Sequence, residues 1–151
     1  MHPNPYDPWK RADLSPREAL VLRFTDQVLH GDNDAMIDEF ISPDYRQHTD
    51  GIGQGRQGLR NYLQQIAWKR AGRTVWRPIH LFECGDFVIL HKLLPAVVIV
   101  DFFRFDEAGM MAEHWDVVQP LPSPDYDPMR PSEEDFTRFY QMYRIDPTTA
   151  S

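Results

Sequence analysis

The chain has a single cysteine, Cys84. No intramolecular disulfide can form, so a reducing compartment, the cytoplasm, is the expected location. Cys84 lies in Phe82-Glu83-Cys84-Gly85-Asp86, a turn sequence, which argues against a role as nucleophile. Positive charge is scarce: 16 Lys and Arg against 23 Asp and Glu leave a net charge of -7. A basic face for nucleic acid or an anionic membrane surface is therefore not expected. Long apolar runs are missing too. The longest, Leu93 to Val100, is far short of the roughly 20 residues needed to cross a bilayer. Residues 1–10 are Pro-rich without an apolar stretch and do not read as a signal peptide. There is no internal repeat. The glycine-rich stretch 50–58 lacks a following Gly-Lys-Ser/Thr, so it is a loop and not a phosphate cradle. No short metal spacing such as His-x-His or His-x3-His occurs, and no metal or other cofactor is expected.

What is present is a globular composition: 151 residues, 42% hydrophobic and 26% charged, enough for one domain with a sizeable core. Residues 1–14 read as a Pro-rich arm, 15–122 as the folded domain, and 123–151 as a Pro-rich link followed by an amphipathic helix. Ser15-Pro16-Arg17-Glu18 is a capping box with proline at the first helical position. Leu20, Phe24 and Val28 then keep helical spacing until Gly31. A shorter helix from about Asp32 buries Met36, Ile37 and Phe40 and is stopped by Pro43. A brief strand follows at 44–48, and a third helix at about 56–70 carries Leu59, Tyr62, Leu63, Ile66 and Ala67 as its buried stripe. From Arg73 the texture turns β-branched and aromatic, predicting strands near 74–83, 86–94, 96–106 and 110–119 joined by tight turns. Short turns require antiparallel neighbours. Helices first and a curved antiparallel sheet after them make an α+β domain around a pocket. Past the prolines at 120–131, Phe136, Phe139, Tyr140 and Tyr143 share one face of a last helix.

Strand alternation sorts the polar residues by face. Ile99, Asp101 and Phe103 share one face of their strand. Asp101 is the one carboxylate in Val97-Val98-Ile99-Val100-Asp101-Phe102-Phe103, where burial raises its proton affinity toward a general acid or base unless a cation is near. An unpaired charge there is costly, so its removal is expected to hold or raise stability. His114 and Asp116 point the same way on the last strand and can share or orient a proton. His91 ends an apolar run and His48 ends the first short strand. Singly, such histidines are more often structural, but strand ends of one small sheet can converge on a pocket. His2, His30 and His80 read as peripheral. Val98, Val100 and Phe102, with Trp115 and Val117, fall on the opposite face, which predicts a homodimer through the outside of the sheet.

Three segments together carry a family likeness. Tyr45-Arg46-Gln47-His48, Val88-Ile89-Leu90-His91, and Asp101-Phe102-Phe103-Arg104-Phe105 running into Glu113-His114-Trp115-Asp116-Val117-Val118-Gln119-Pro120 resemble the SnoaL-like proteins. These are polyketide-cyclase relatives in the nuclear transport factor 2-like superfamily. The likeness spans roughly 15–122, and His-Trp-Asp-Val-x-Gln is its most specific part. It implies a cone of three helices on a strongly curved antiparallel sheet, and metal-free intramolecular aldol chemistry by a strand carboxylate with nearby histidines. The matching positions are Asp101 as that carboxylate, His91 and His114 as partners, and His48 at the pocket wall, with Tyr45, Gln47, Asp116, Phe103 and Ile99 contacting substrate. The leading expectation is a cofactor-independent acid/base enzyme for a hydrophobic, oxygenated small molecule. Isomerisation, dehydration or epoxide opening on the same scaffold, or ligand binding without catalysis, remain alternatives.

Overall fold

The computed structural model describes residues 8–66, 76–94 and 97–120. The arm at 1–7, the turn at Pro95, the end of the third helix and the C-terminal helix read from the sequence lie outside these residues.

Helix α1, Pro16–Phe24, starts as its sequence requires. The Ser15 hydroxyl accepts from the Glu18 backbone N–H at 3.1 Å, and the Glu18 carboxylate accepts from the Ser15 N–H at 2.9 Å. The helix does not run on to Gly31 as one regular element. It widens into a π-turn over Thr25–Leu29, and Gly31 closes it where a Cβ would meet the Gln27 carbonyl oxygen at 2.3 Å. Helix α2, Ile37–Phe40, is one turn, and α3 spans Gly55–Gln65. Five strands follow the expected order: β1 Ile41–Gln47, β2 Arg77–Cys84, β3 Phe87–Leu94, β4 Val97–Phe105 and β5 Met111–Pro120. Pro43 does not stop α2; it lies exposed inside β1.

The sheet order is β1-β5-β4-β3-β2. Strands β2 to β5 pair antiparallel, whereas β1 joins β5 in parallel, so the sheet is mixed. The parallel ladder is possible because more than half of the domain separates the two strands in sequence, long enough for a crossover. Pro43 and Pro78 both sit on the edge strands β1 and β2, where a missing N–H costs no central ladder bond. Register shifts in β1, β2 and at Arg104/Phe105 bend the sheet around the helices. Three helices against this curved sheet make the nuclear transport factor 2-like cone.

The concave face carries Val88, Leu90, Phe103 and Phe105, all buried against Val21, Leu22, Phe24, Ile37 and Phe40 of the helices. Phe24 anchors this core, with ring centroids 5.6 Å from Phe40 and 6.0 Å from Phe103. Ladder register then decides which polar groups meet. Leu90 and Asp116 flank Asp101 on β3 and β5; His114 pairs with Phe103 on one side and Gln47 on the other. No helix among the described residues is long and apolar enough to span a membrane.

A buried polar chain on the floor of the pocket

Between the helices and the concave face lies a pocket of about 540 Å³ of empty space, mouth included. Its walls are apolar: Phe24 and Leu29 from the first helical segment, Leu59, Leu63 and Ile66 from α3, Ile52 from the loop before it, and Leu94, Ile99 and Phe103 from the sheet. Its polar groups are concentrated on the strands, with Tyr62 of α3 and His30 added from the helical side. This division into apolar wall and few polar groups suits a small organic ligand.

The strand groups form a chain. The Lys92 ammonium lies 2.7 Å from Asp101 Oδ2, both side chains being almost fully buried. Asp101 Oδ1 is 3.0 Å from His114 Nε2, and His114 Nδ1 is 3.0 Å from Gln47 Oε1. The Gln47 side-chain N–H donates to the Tyr45 hydroxyl oxygen at 3.0 Å. The orientation of the Gln47 amide is fixed, because its Oε1 also accepts from the backbone N–H groups of His48 and Thr49 at 3.0 Å each. Gln54 holds the same residue from outside, its amide bonding the Gln47 backbone N–H at 3.0 Å and carbonyl at 2.7 Å. Gln47 Oε1 is therefore an acceptor, and His114 Nδ1 carries a proton towards it. His114 Nε2 faces a carboxylate. Both ring nitrogens are occupied, leaving none for a ligand.

The expected role of Asp101 changes on this geometry. Burial alone pushes its carboxyl up, but the Lys92 charge and the His114 hydrogen bond outweigh it and hold it well below the usual carboxylate range. A carboxylate so stabilised is a weak base, and only 2% of the residue is exposed. Asp116 is different. It is half-buried, lines the pocket, and no hydrogen bond or ion pair among the described residues engages it. Its charge is felt nearby: burial first, then Asp116 and Asp101, raises the phenol of Tyr62, and burial, Asp101 and Asp116 do the same for Tyr45. Both tyrosines therefore keep their O–H protons at neutral pH. The Tyr45 oxygen already accepts from Gln47, which leaves its proton for a partner in the pocket.

The two remaining histidines lie on the other side of the sheet. His91 alternates with Leu90 and Lys92 and so points to the convex face, where its Nδ1 sits 3.1 Å from His80 Nδ1. Burial, then the neighbouring His80, lowers it to about 4. The expectation of His91 at the pocket rested on its closing the apolar run 87–90; β3 runs on to Leu94 as expected, and alternation within it turns His91 outward. His48 turns outward as well: its Nε2 bonds Glu113 at 2.7 Å, and its ring stacks on Trp115 at 4.4 Å with 2° between planes. Neither lines the pocket. Three polar pocket residues were not among the expected site residues: Tyr62, expected only in the buried stripe of α3, His30 and Lys92. His30, taken as peripheral, is buried in the wall, and Lys92 was passed over. The signal for Lys92 was available, because alternation from Val88 and Leu90 places it on the same face.

Asp101, His114 and Asp116 bring one ligand atom each within 4.8 Å of one another. The donor set does not fit a metal, since the Lys92 ammonium already supplies the cation at Asp101 and both His114 nitrogens are taken.

No protein-family model matches the chain, and neither does any curated protein. Solved structures do match it in fold. A protein of Acidithiobacillus ferrooxidans provisionally named a polyketide cyclase superposes with a TM-score of 0.60 at 17% identity, over 72% of this chain and 92% of that one. A provisionally named isomerase of the SnoaL-like family from Agrobacterium tumefaciens gives 0.57 at 12% identity, over 70% and 99%. A steroid delta-isomerase of Pseudomonas aeruginosa gives 0.51 at 13% identity, over 87% and 97%. At these identities the likeness is one of fold: the chain has the SnoaL-like form of the nuclear transport factor 2-like cone.

Proposed function

We propose that this chain is a cofactor-independent acid/base enzyme that enolises a small hydrophobic carbonyl compound, with Asp116 as the base and the Tyr45 hydroxyl as donor to the enolate oxygen. The observation that carries the reading is the division of labour between two neighbouring carboxylates. Asp101 is neutralised by Lys92 and bonded to His114, while Asp116 faces the apolar pocket with its oxygens unengaged among the described residues. Asp116 removes a proton α to the carbonyl, and the C–H electron pair moves to the carbonyl oxygen. That oxygen takes the Tyr45 O–H, and Tyr62 from α3 is a second available donor. The protonated Asp116 then returns its proton.

Returned to a different carbon, the proton completes an isomerisation. Returned to the oxygen of a second carbonyl attacked by the enolate carbon, it completes an aldol ring closure. Ring closure of a polyketide and migration of a steroid double bond both begin with this proton removal, which is why the names of the fold relatives fit the same site. Epoxide opening fits less well, because it calls for two carboxylates around one water and Asp101 is already taken.

The test is solvent exchange. Purified protein is incubated with a panel of small cyclic and aryl ketones in D2O, and the α-proton signals are followed by NMR. Wild type should accelerate exchange of at least one ketone. Asp116→Asn should lose roughly two to four orders of magnitude of that acceleration with its fold intact, the usual worth of a positioned base. Tyr45→Phe should lose less. Ketones that bind but exchange at the background rate would instead establish ligand binding without catalysis.

A further inference from the structure

The site contains a cation that the proposed chemistry does not consume. Lys92 is 2% exposed and lines the pocket, and its ammonium is paired with Asp101 at 2.7 Å. Burying this pair costs both charges their hydration, and a Leu–Leu pair of similar size would fill the space without that cost. A structural account of Lys92 is therefore incomplete. The chain it belongs to ends at the Tyr45 hydroxyl, proposed to meet the substrate oxygen.

We propose that Lys92 is a positioning residue: by fixing Asp101 as a charged acceptor it makes His114 a donor at Nε2, at the head of the hydrogen-bonded chain that runs out to Tyr45. The inference rests on the enolisation reading for its consequence in turnover, but not for its geometry. With Lys92 on Oδ2, the Asp101 carboxylate accepts at Oδ1 and has no proton to give. His114 must then donate at Nε2. At the other end, the backbone N–H groups of His48 and Thr49 force Gln47 Oε1 to accept, so His114 donates at Nδ1 also. The Gln47 amide has only its N–H side left and donates to the Tyr45 oxygen. Tyr45 can bond onward only as a donor. His114 thus donates at both ends, and from it the chain runs in one sense through Gln47 to Tyr45, where successive hydrogen bonds strengthen one another.

The experiment compares Lys92→Met with wild type in the full chain, with one readout independent of turnover. In wild type the ring N–H protons of His114 should appear as protected, downfield resonances in 1H–15N spectra at neutral pH. In Lys92→Met the Nε2–H resonance should broaden or vanish, and the Asp101 carboxyl carbon should titrate at clearly higher pH, while core methyl signals are retained. For turnover, Lys92→Met should lower kcat about tenfold or more with KM nearly kept. It should lower it far less in a Tyr45→Phe background, because residues acting through one another do not add. If Lys92→Met folds poorly, Lys92→Met/Asp101→Asn removes both charges together, and the loss of the His114 Nε2–H signal is expected there too.

An unchanged His114 Nε2–H signal in either folded variant, or an unchanged Asp101 titration in Lys92→Met, would overturn the proposal. So would an equal loss of kcat in the wild-type and Tyr45→Phe backgrounds. If no ketone is turned over at all, the enolisation reading fails, and the resonances alone decide the role of Lys92.

Discussion

Asp101 and Lys92 have the same exposure, 2%, and each is the reason the other can be charged. Asp101→Asn leaves a buried ammonium without its counter-charge, so the variant should lose roughly 3–5 kcal/mol in urea unfolding. This reverses the expectation from sequence, which treated Asp101 as unpaired and its removal as harmless. Lys92→Met/Asp101→Asn should recover much of that loss, and the double-mutant cycle measures the coupling directly. The inward face of β4 was legible because Ile99, Asp101, Phe103 and Phe105 alternate strictly. Asp101, His114, Asp116, Tyr45, Gln47, Ile99 and Phe103, all named from sequence, do line one pocket with Phe24. Their division of roles was not legible. Whether a carboxylate is base or anchor depends on which cation lies diagonally across a ladder, and here that is Lys92, paired in register with Ile99.

At the scale of elements, the antiparallel hairpins were readable from turn residues, while the parallel contact of β1 with β5 was not. No local signal marks a partner that far away in sequence, and β1 was read as a short strand after Pro43. The π-turn at Thr25–Leu29 was hidden in the same way, since its apolar spacing passes for an ordinary helix. The β2–β3 ladder carries a pH dependence that can be measured. Folding lowers His91 from about 6.5 to about 4 by burial and by the adjacent His80, so the unfolded chain binds more protons in that interval. The contribution is fully present above pH 6.5 and is lost as pH falls towards 4. Asp101, also lowered on folding, loses its contribution only further down, below about pH 4. Thermal melts of wild type should therefore begin to drop below pH 6.5, and His91→Phe should flatten the 6.5–4 segment while leaving the steeper acid limb. An unchanged segment in that variant would show that His91 is not its source.

For the molecule as a whole, the convex face of the sheet leaves Val117 62% and Phe82 48% exposed, with Val100, Phe102 and Trp115 partly so. Val98, expected on this surface, is already buried. A second copy covering that face is the expected state, and light scattering at micromolar concentration should give about twice the 17.7 kDa chain mass. Val117→Lys with Phe82→Lys should return it to monomer, and a wild-type monomer would dismiss the interface. The parallel ladder between β1 and β5 has a further consequence, in time. Gln47 meets a His114 that lies 67 positions further along the chain, so the strand that opens the sheet finds its partner only after the last one exists. On a ribosome, residue 47 emerges seconds before residue 114 at ordinary rates of synthesis, and β1 spends that interval as an unpaired edge. The β2–β3–β4 meander has only short loops to close, whereas the β1–β5 ladder bears the largest loop-closure entropy and should form late. The chain from Lys92 to Tyr45 crosses that ladder. Refolding should therefore recover secondary structure first and ligand binding last, with the pocket competent only after the first strand is captured by the fifth.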